Sequence, residues 1–298
     1  MPSGSQHLIG TVMLGRLQLL VLGLAALVGC LGADSNPSGS ITIFCGSASK
    51  PAMTEIAAAF EQETGVETEL IFGGSGTLLA QMELSRKGDI YLPGSSDYII
   101  IAERKGQLIE DSDRVVAYLV PAIITPAGNP AGIHRLEDLA RPGVRVGIGN
   151  PETVCLGLYS IELLDKAGLL DDVLPNLATF GASCSKTANL TTMGHVDAVL
   201  GWRVFHHWNP NRIGQQPIAP ERIPRISTIP ISIPIHARDV ALSERFIDFT
   251  LSPPSQAVYR KYGYLTDKAQ ALELAPAATI GGEYTLPADF FERMAKTP

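Results

Sequence analysis

Two consecutive strand-turn-helix units with hydroxyl-bearing turns constrain this chain more than any other feature. The first runs from Ile41 to Phe60, ITIFCGSASKPAMTEIAAAF. Its alternating run Ile41-Thr42-Ile43-Phe44 ends in the small residues Cys45, Gly46, Ser47, Ala48 and Ser49, and Pro51, Met53, Ile56, Ala57 and Phe60 then recur at helical spacing. Ser49 is the expected N-cap, and Pro51 suits the first turn, where its missing N–H removes no bond. The second unit repeats the pattern: strand Val66 to Phe72, turn Gly73-Gly74-Ser75-Gly76, helix through Thr77, Leu78, Leu79 and Met82. Such turns aim free backbone N–H groups and the positive end of a helix dipole outward beside hydroxyls, an arrangement suited to an anion.

The rest of the chain continues the alternation. Gly88 to Pro93 reads as a third strand and Ser96 to Lys105 as a helix, so a mostly parallel sheet is expected, with ligands at the carboxyl ends of its strands. Val115 to Thr125 is a continuous apolar run suited to crossing between lobes. A second α/β unit follows over roughly 120–228: strand Val144 to Ile148, helix Gly157 to Ala167, helix Thr187 to Gly194 and strand Val196 to Gly201. In Arg222 to Ile235 the prolines 224, 230 and 234 exclude a central strand and suit an extended crossover. Helices at Leu242 to Leu251 and Ser255 to Tyr262 return to the first unit, and the last thirty residues read as an appendage with an apolar patch at Phe290 and Phe291.

The expected organisation is therefore 1–30 as a signal segment, 31–40 as a tether, 41–118 with 234–298 as lobe 1, and 119–233 as lobe 2. Arg16 precedes an apolar stretch from Leu17 to Gly29 that is short for a transmembrane span. It ends in Leu27-Val28-Gly29-Cys30, which resembles a bacterial lipoprotein cleavage box with Cys30 as the lipidated residue. That leaves Cys45, Cys155 and Cys184, an odd number in an oxidising compartment. The formal net charge of -7, with no basic run, argues against a nucleic-acid partner but leaves a small anion open, because dipoles and hydroxyls hold anions without formal charge.

Six segments in order, ITIFCGSAS, FGGSGTLLAQME, GDIYL, VGIGNPETVCLGLYSIELL, VDAVLGWR and FIDFTLSPPSQAVYRKYGY, give the chain a resemblance to the molybdate/tungstate-binding, ModA-like proteins of ABC importers. The similarity spans roughly Ile41 to Tyr264. It implies a type II periplasmic binding-protein fold: two α/β lobes, each a mostly parallel sheet flanked by helices, joined by crossover strands and closing on a tetrahedral oxyanion. It implies no catalysis and no cofactor, a bound molybdate or tungstate, an ABC permease as partner, and a place in the periplasm or on the outer face of the cytoplasmic membrane, held by the lipid anchor. A monomer is expected.

Carried onto this sequence, the family's first serine falls at Ala48, a departure flanked by Ser47 and Ser49, and the Gly-Ser pair of the archaeal branch matches Gly46-Ser47. Ser47 is therefore the expected ligand, and the second serine matches Ser75. Amide donors correspond to Leu156 and Lys186, and the family's tyrosine falls at Trp202, whose indole donates but does not accept. Val154 replaces the carboxylate with which the archaeal branch ligates metal. Lys186 and Arg203 are each either a cation beside the ligand or an exposed side chain.

The cysteines near these loops leave several readings open: a Cys155 to Cys184 disulfide with Cys45 buried, a thiolate site of all three for a soft species such as arsenite or Cu(I), or three unrelated thiols. An exported enzyme using Cys155 with His195 is the reading from another class, without a local motif to support it. His206-His207 reads as a solvated loop, and Gly73 to Gly76 lacks the Gly-Lys-Ser/Thr ending of a nucleotide loop.

Overall fold

A computed structural model describes residues 39–296; the signal segment, Cys30 and nearly all of the expected tether lie outside them. Among the described residues no helix is long and apolar enough to cross a membrane.

The first lobe is built from β1 (Ser40–Gly46), α1 (Lys50–Thr64), β2 (Glu67–Gly73), α2 (Ser75–Ser85), β3 (Ile90–Leu92) and α3 (Ser96–Arg104). Its sheet has the order β2-β1-β3 and is parallel throughout, with Cys45 in register between Phe72 and Leu92. A one-turn 3-10 helix, Ser47–Ser49, links β1 to α1. Pro51 occupies the first turn of α1 as expected, and Gly65, at φ 71°, ends the helix by donating its N–H to the Glu61 carbonyl. Ser49 stands at the N-cap position, yet its hydroxyl makes no capping bond and is buried with no partner.

From the first lobe, β4 (Arg114–Leu119) passes through Val120 into β5 (Pro121–Pro126). The second lobe adds β6 (Val146–Gly149), α4 (Cys155–Lys166), the short α5 (Leu170–Val173), β7 (Leu177–Gly181), α6 (Cys184–Thr192), β8 (Ala198–Trp202), α7 (Val204–Trp208) and β9 (Ile213–Pro217). Its sheet runs β7-β6-β8-β5-β9, with β7, β6 and β8 parallel and β5 antiparallel to both of its neighbours. Helices α4 and α6 begin two to three residues earlier than their apolar spacing predicts, at the cysteines. His206 and His207 lie in α7 rather than in a loop, with His206 Nδ1 2.6 Å from the Ile213 carbonyl.

The return crossing corrects one expectation. β10 (Arg225–Ile231), wholly buried, is the middle strand of a three-stranded sheet with β4 on one side and β11 (Thr279–Ile280) on the other. Pro230 is tolerated because β11 pairs only with Arg225 and Ile226, while the register against β4 shifts at Ile229/Pro230. A bulge with no second neighbour asks no ladder N–H of the proline.

Helices α8 (Val240–Leu251) and α9 (Pro253–Lys261) return to the first lobe, where Phe60 of α1 meets Phe246 and Phe249 edge-on with centroids 5.0 and 5.3 Å apart. The segment beyond them departs from the expected assignment to lobe 1. Ala271 of α10 (Lys268–Leu274), Ala275, Ala278 and Phe290 of α11 (Phe290–Ala295) share a buried core with Ile148, Leu164 and Leu174 of the second lobe. Phe291, next to Phe290, stays exposed. The other buried core runs from Ile43 and Phe60 through Cys155, Cys184 and Trp202, so apolar packing is continuous across the cleft and the lobes are closed on each other.

Candidate functional site

The carboxyl ends of β1, β2, β6, β7 and β8 all deliver their chain to the cleft. The first four are each followed by a helical turn that begins there: Ser47 after β1, Ser75 after β2, Cys155 after β6, and Cys184 after β7. Ser47, Ser75, Cys155 and Cys184 are each at most 3% exposed. Four helical starts converging on one buried point place partial positive charge there without a formal cation.

Contacts across the cleft are specific. Ser47 Oγ accepts from the Ser185 backbone N–H at 3.0 Å, the Gly76 N–H donates to the Thr153 carbonyl at 2.9 Å, and the Tyr98 hydroxyl donates to the Glu152 carbonyl at 3.3 Å. Ser75 Oγ accepts from the Gly94 N–H at 3.0 Å, next to the Cys155 thiol of the opposite lobe. A Cβ on Gly94 would stand 2.7 Å from Cys155 Sγ, and one on Gly74 2.6 Å from the Thr153 carbonyl oxygen. Only glycine lets the first lobe descend this far.

All three cysteines are free thiols, so the expected disulfide between Cys155 and Cys184 is not formed. The expected triad is not formed either. Among the described residues no three His, Cys, Asp or Glu side chains gather as a metal site, and Cys45 turns its thiol to the Gly46 carbonyl, 3.5 Å away, where burial pushes it well up. Cys155 and Cys184 do come together. The neighbouring Cys184 thiol, with burial, raises the Cys155 thiol well above its usual value. Cys184 is lowered, first by the neighbouring Cys155 and then, against the effect of burial, by the Trp202 indole and the backbone N–H groups of Leu156 and of Cys184 itself.

Of the residues expected to bind ligand, Ser47, Ser75, Leu156 and Trp202 therefore meet at one place, with Cys155 and Cys184 among them. Leu156 is buried in the first turn of α4, next to Cys155. Trp202 is fully buried, and its Nε1 has no hydrogen-bond partner. Lys186 is not brought in: its backbone N–H is taken by Ser183 Oγ at 3.3 Å and its side chain is exposed. Ser185, one residue earlier, supplies the second-lobe amide instead. Arg203 is half-buried beside Trp202, and burial lowers it. His195 is exposed whereas Cys155 is buried, so the pair forms no dyad.

The sequence reading missed the hub beneath the site. Arg225 of β10 places Nη1 3.0 and 2.9 Å from the two oxygens of Asp97 at the start of α3, and Nε 2.7 Å from Glu162 of α4. Its guanidinium stacks 3.8 Å from the Tyr159 ring centroid, and Tyr159 in turn meets Trp202 edge-on at 5.1 Å. One buried arginine on the crossing strand thus ties a helix of each lobe to the floor of the cleft. The second arginine of RIPRISTIPISIPI, set between apolar residues, was the available signal.

Comparison with known proteins agrees with this architecture. The family described as bacterial extracellular solute-binding protein matches residues 41–265. The molybdate-binding protein ModA of Rhodobacter capsulatus is 24% identical over 215 residues, covering 72% of this chain and 83% of that one. Among solved structures, the periplasmic molybdate-binding protein of Azotobacter vinelandii superposes with a TM-score of 0.67 at 17% identity, over 76% of this chain and 100% of that one. The sulfate-binding protein SubI of Mycobacterium tuberculosis H37Rv superposes with a TM-score of 0.69 at 16% identity, over 81% of this chain and 94% of that one.

Proposed function

Because this chain belongs to the bacterial extracellular solute-binding proteins, we propose that it captures a small tetrahedral oxyanion, molybdate or tungstate first, between its lobes and delivers it to the permease of an ABC importer. A member of this family is a binding protein, not an enzyme, and works without a cofactor.

The observation that carries the reading is the convergence of Ser47, Ser75, the Leu156 amide and the Trp202 indole, all buried, on the ends of four helical turns. An oxyanion accepts several bonds at once, each charge-assisted and roughly twice as strong as a neutral one. Hydroxyls and amides supply these without deprotonation, so no cation is required. The relatives named for molybdate support that ligand class, and the resemblance to a sulfate-binding protein keeps the tetrahedral geometry while widening the choice of ion.

The two crossings β4–β5 and β9–β10 form the hinge. A ligand favours closure only by making better contacts in the closed state, which the contacts from Ser47 to Ser185 and from Gly76 to Thr153 already outline. Outside the cytoplasmic membrane, a lipid on Cys30 would hold the protein near its permease.

Calorimetric titration of the mature protein with molybdate, tungstate and sulfate tests the reading. One ion per chain is expected, with Ser75→Ala weakening it by about tenfold or more, the range of one hydrogen bond to a charged group. Failure of the wild-type protein to bind any of the three would overturn it.

A further inference from the structure

Two of the thiols stand where the oxyanion reading has no use for them. Cys155 and Cys184 open α4 and α6, the helices that follow the paired parallel strands β6 and β7, and both are buried and free. Ser75 comes to Cys155 from the first lobe: a Cβ on Gly94 would stand 2.7 Å from Cys155 Sγ and 3.8 Å from Ser75 Oγ. Trp202 Nε1, in the same buried core, has no hydrogen-bond partner. No third thiol, histidine or carboxylate completes a metal cluster among the described residues, so ions that require three or four protein ligands are not served.

Two soft sulfurs ringed by hydroxyl and N–H donors match a centre that bonds twice to sulfur and keeps an oxygen. We propose that this cleft takes a trivalent, thiophilic oxo-species of the arsenous acid class, bonded to Cys155 and Cys184 Sγ with its remaining hydroxyl held by lobe-1 hydroxyl donors such as Ser75. The step balances as As(OH)3 plus two thiols giving (RS)2As–OH plus two waters. Two As–O bonds break, two As–S bonds form, and the thiol protons leave in the water. Arsenic stays trivalent, so neither oxidant nor reductant is needed. The product is neutral, which agrees with the side chain of Lys186, two residues from Cys184, being exposed. Cys45 is committed to the Gly46 carbonyl, so the third ligand on arsenic is oxygen rather than sulfur.

This inference rests on the cleft being the ligand site and not on which oxyanion fills it. Its test is titration of the reduced, full-length mature protein with sodium arsenite, by calorimetry and intact mass, beside a molybdate titration. One arsenic per chain is expected in the wild type and in Cys45→Ala, with 1:1 binding lost in Cys155→Ser and in Cys184→Ser. X-ray absorption at the arsenic edge of the wild-type complex, which needs no variant, should find two As–S bonds and one As–O bond. No arsenite binding, one or three sulfurs on arsenic, unchanged binding in both serine variants, or retention of Cu(I) to the exclusion of arsenite overturns the proposal. So does a Cys155 to Cys184 disulfide persisting in protein isolated without reductant. Molybdate binding without arsenite binding removes this inference and spares the oxyanion reading; arsenite binding with no bound molybdate, tungstate or sulfate does the opposite.

Discussion

The hydroxyl of Ser47, in the first lobe, accepts a 3.0 Å hydrogen bond from the backbone N–H of Ser185, in the second. The two residues are 138 positions apart in sequence, and the bond exists only when the lobes are closed. Removing the acceptor leaves the buried-side N–H without a partner, which costs about 1–3 kcal/mol. Ser47→Ala is therefore expected to shift the protein toward an open form, seen as a larger radius of gyration in X-ray scattering. Scattering identical to wild type would show that this bond does not hold the lobes.

Gly94→Ala tests closure from the other side. The added methyl would stand 2.7 Å from Cys155 Sγ. Gly94 is not in the left-handed region, so each lobe should keep its fold while full closure is blocked. Ligand affinity is expected to fall with little change in thermal unfolding, and the double variant Gly94→Ala/Cys155→Ala should recover the closed scattering profile. Equal compaction in the single variant and the wild type would count against the contact.

Arg225→Met is expected to destabilise the protein by about 3–5 kcal/mol, because it leaves Asp97 buried without its charge partner. Replacing Asp97 and Glu162 by apolar residues in the same variant should restore most of that loss. Urea titration of both measures it. A single-variant loss below about 1 kcal/mol, the range of an exposed pair, would mean that the hub is not electrostatically coupled.

Asp89 sets a pH dependence. Burial alone would raise its carboxyl, but the Arg238 side chain, the Thr42 N–H at 2.8 Å and the Arg238 N–H at 2.8 Å together hold it below its ordinary value. A carboxylate lowered in the folded state adds stability above its unfolded pKa, about 3.9, and loses it as pH falls through the lower folded value. Asp89→Asn should therefore be less stable than wild type at neutral pH, with the difference shrinking below about pH 4. A constant difference from neutral pH to pH 2 would contradict this.

Much of the first lobe was legible because its signals are local. The alternation of Ile41 to Phe44 and the helical spacing of Met53, Ile56 and Phe60 set the starts of β1 and α1 to within a residue or two, while α1 runs on to Thr64. The second unit was read less well at its edges: α4 and α6 begin at Cys155 and Cys184, because small polar turn residues conceal where the first helical bond forms. β10 was misjudged from Pro230, since whether a proline sits on a hydrogen-bonding side depends on how far a neighbouring strand extends. Ser49 looked like a cap by position alone, and its hydroxyl points elsewhere.

What the sequence determined by itself is the alternation of strand and helix, the hydroxyl-bearing turns at Ser47 and Ser75, and the membership that six ordered segments announce. These follow from side-chain periodicity and turn chemistry, which act over a few residues. Only the tertiary structure decided which groups share a site. It brought Ser185 rather than Lys186 to Ser47, paired Cys155 with Cys184 while leaving Cys45 apart, and set Arg225 beneath Tyr159 and Trp202. Those choices depend on lobe closure and strand register, which are sums over contacts between residues far apart in the chain and leave no local mark in it.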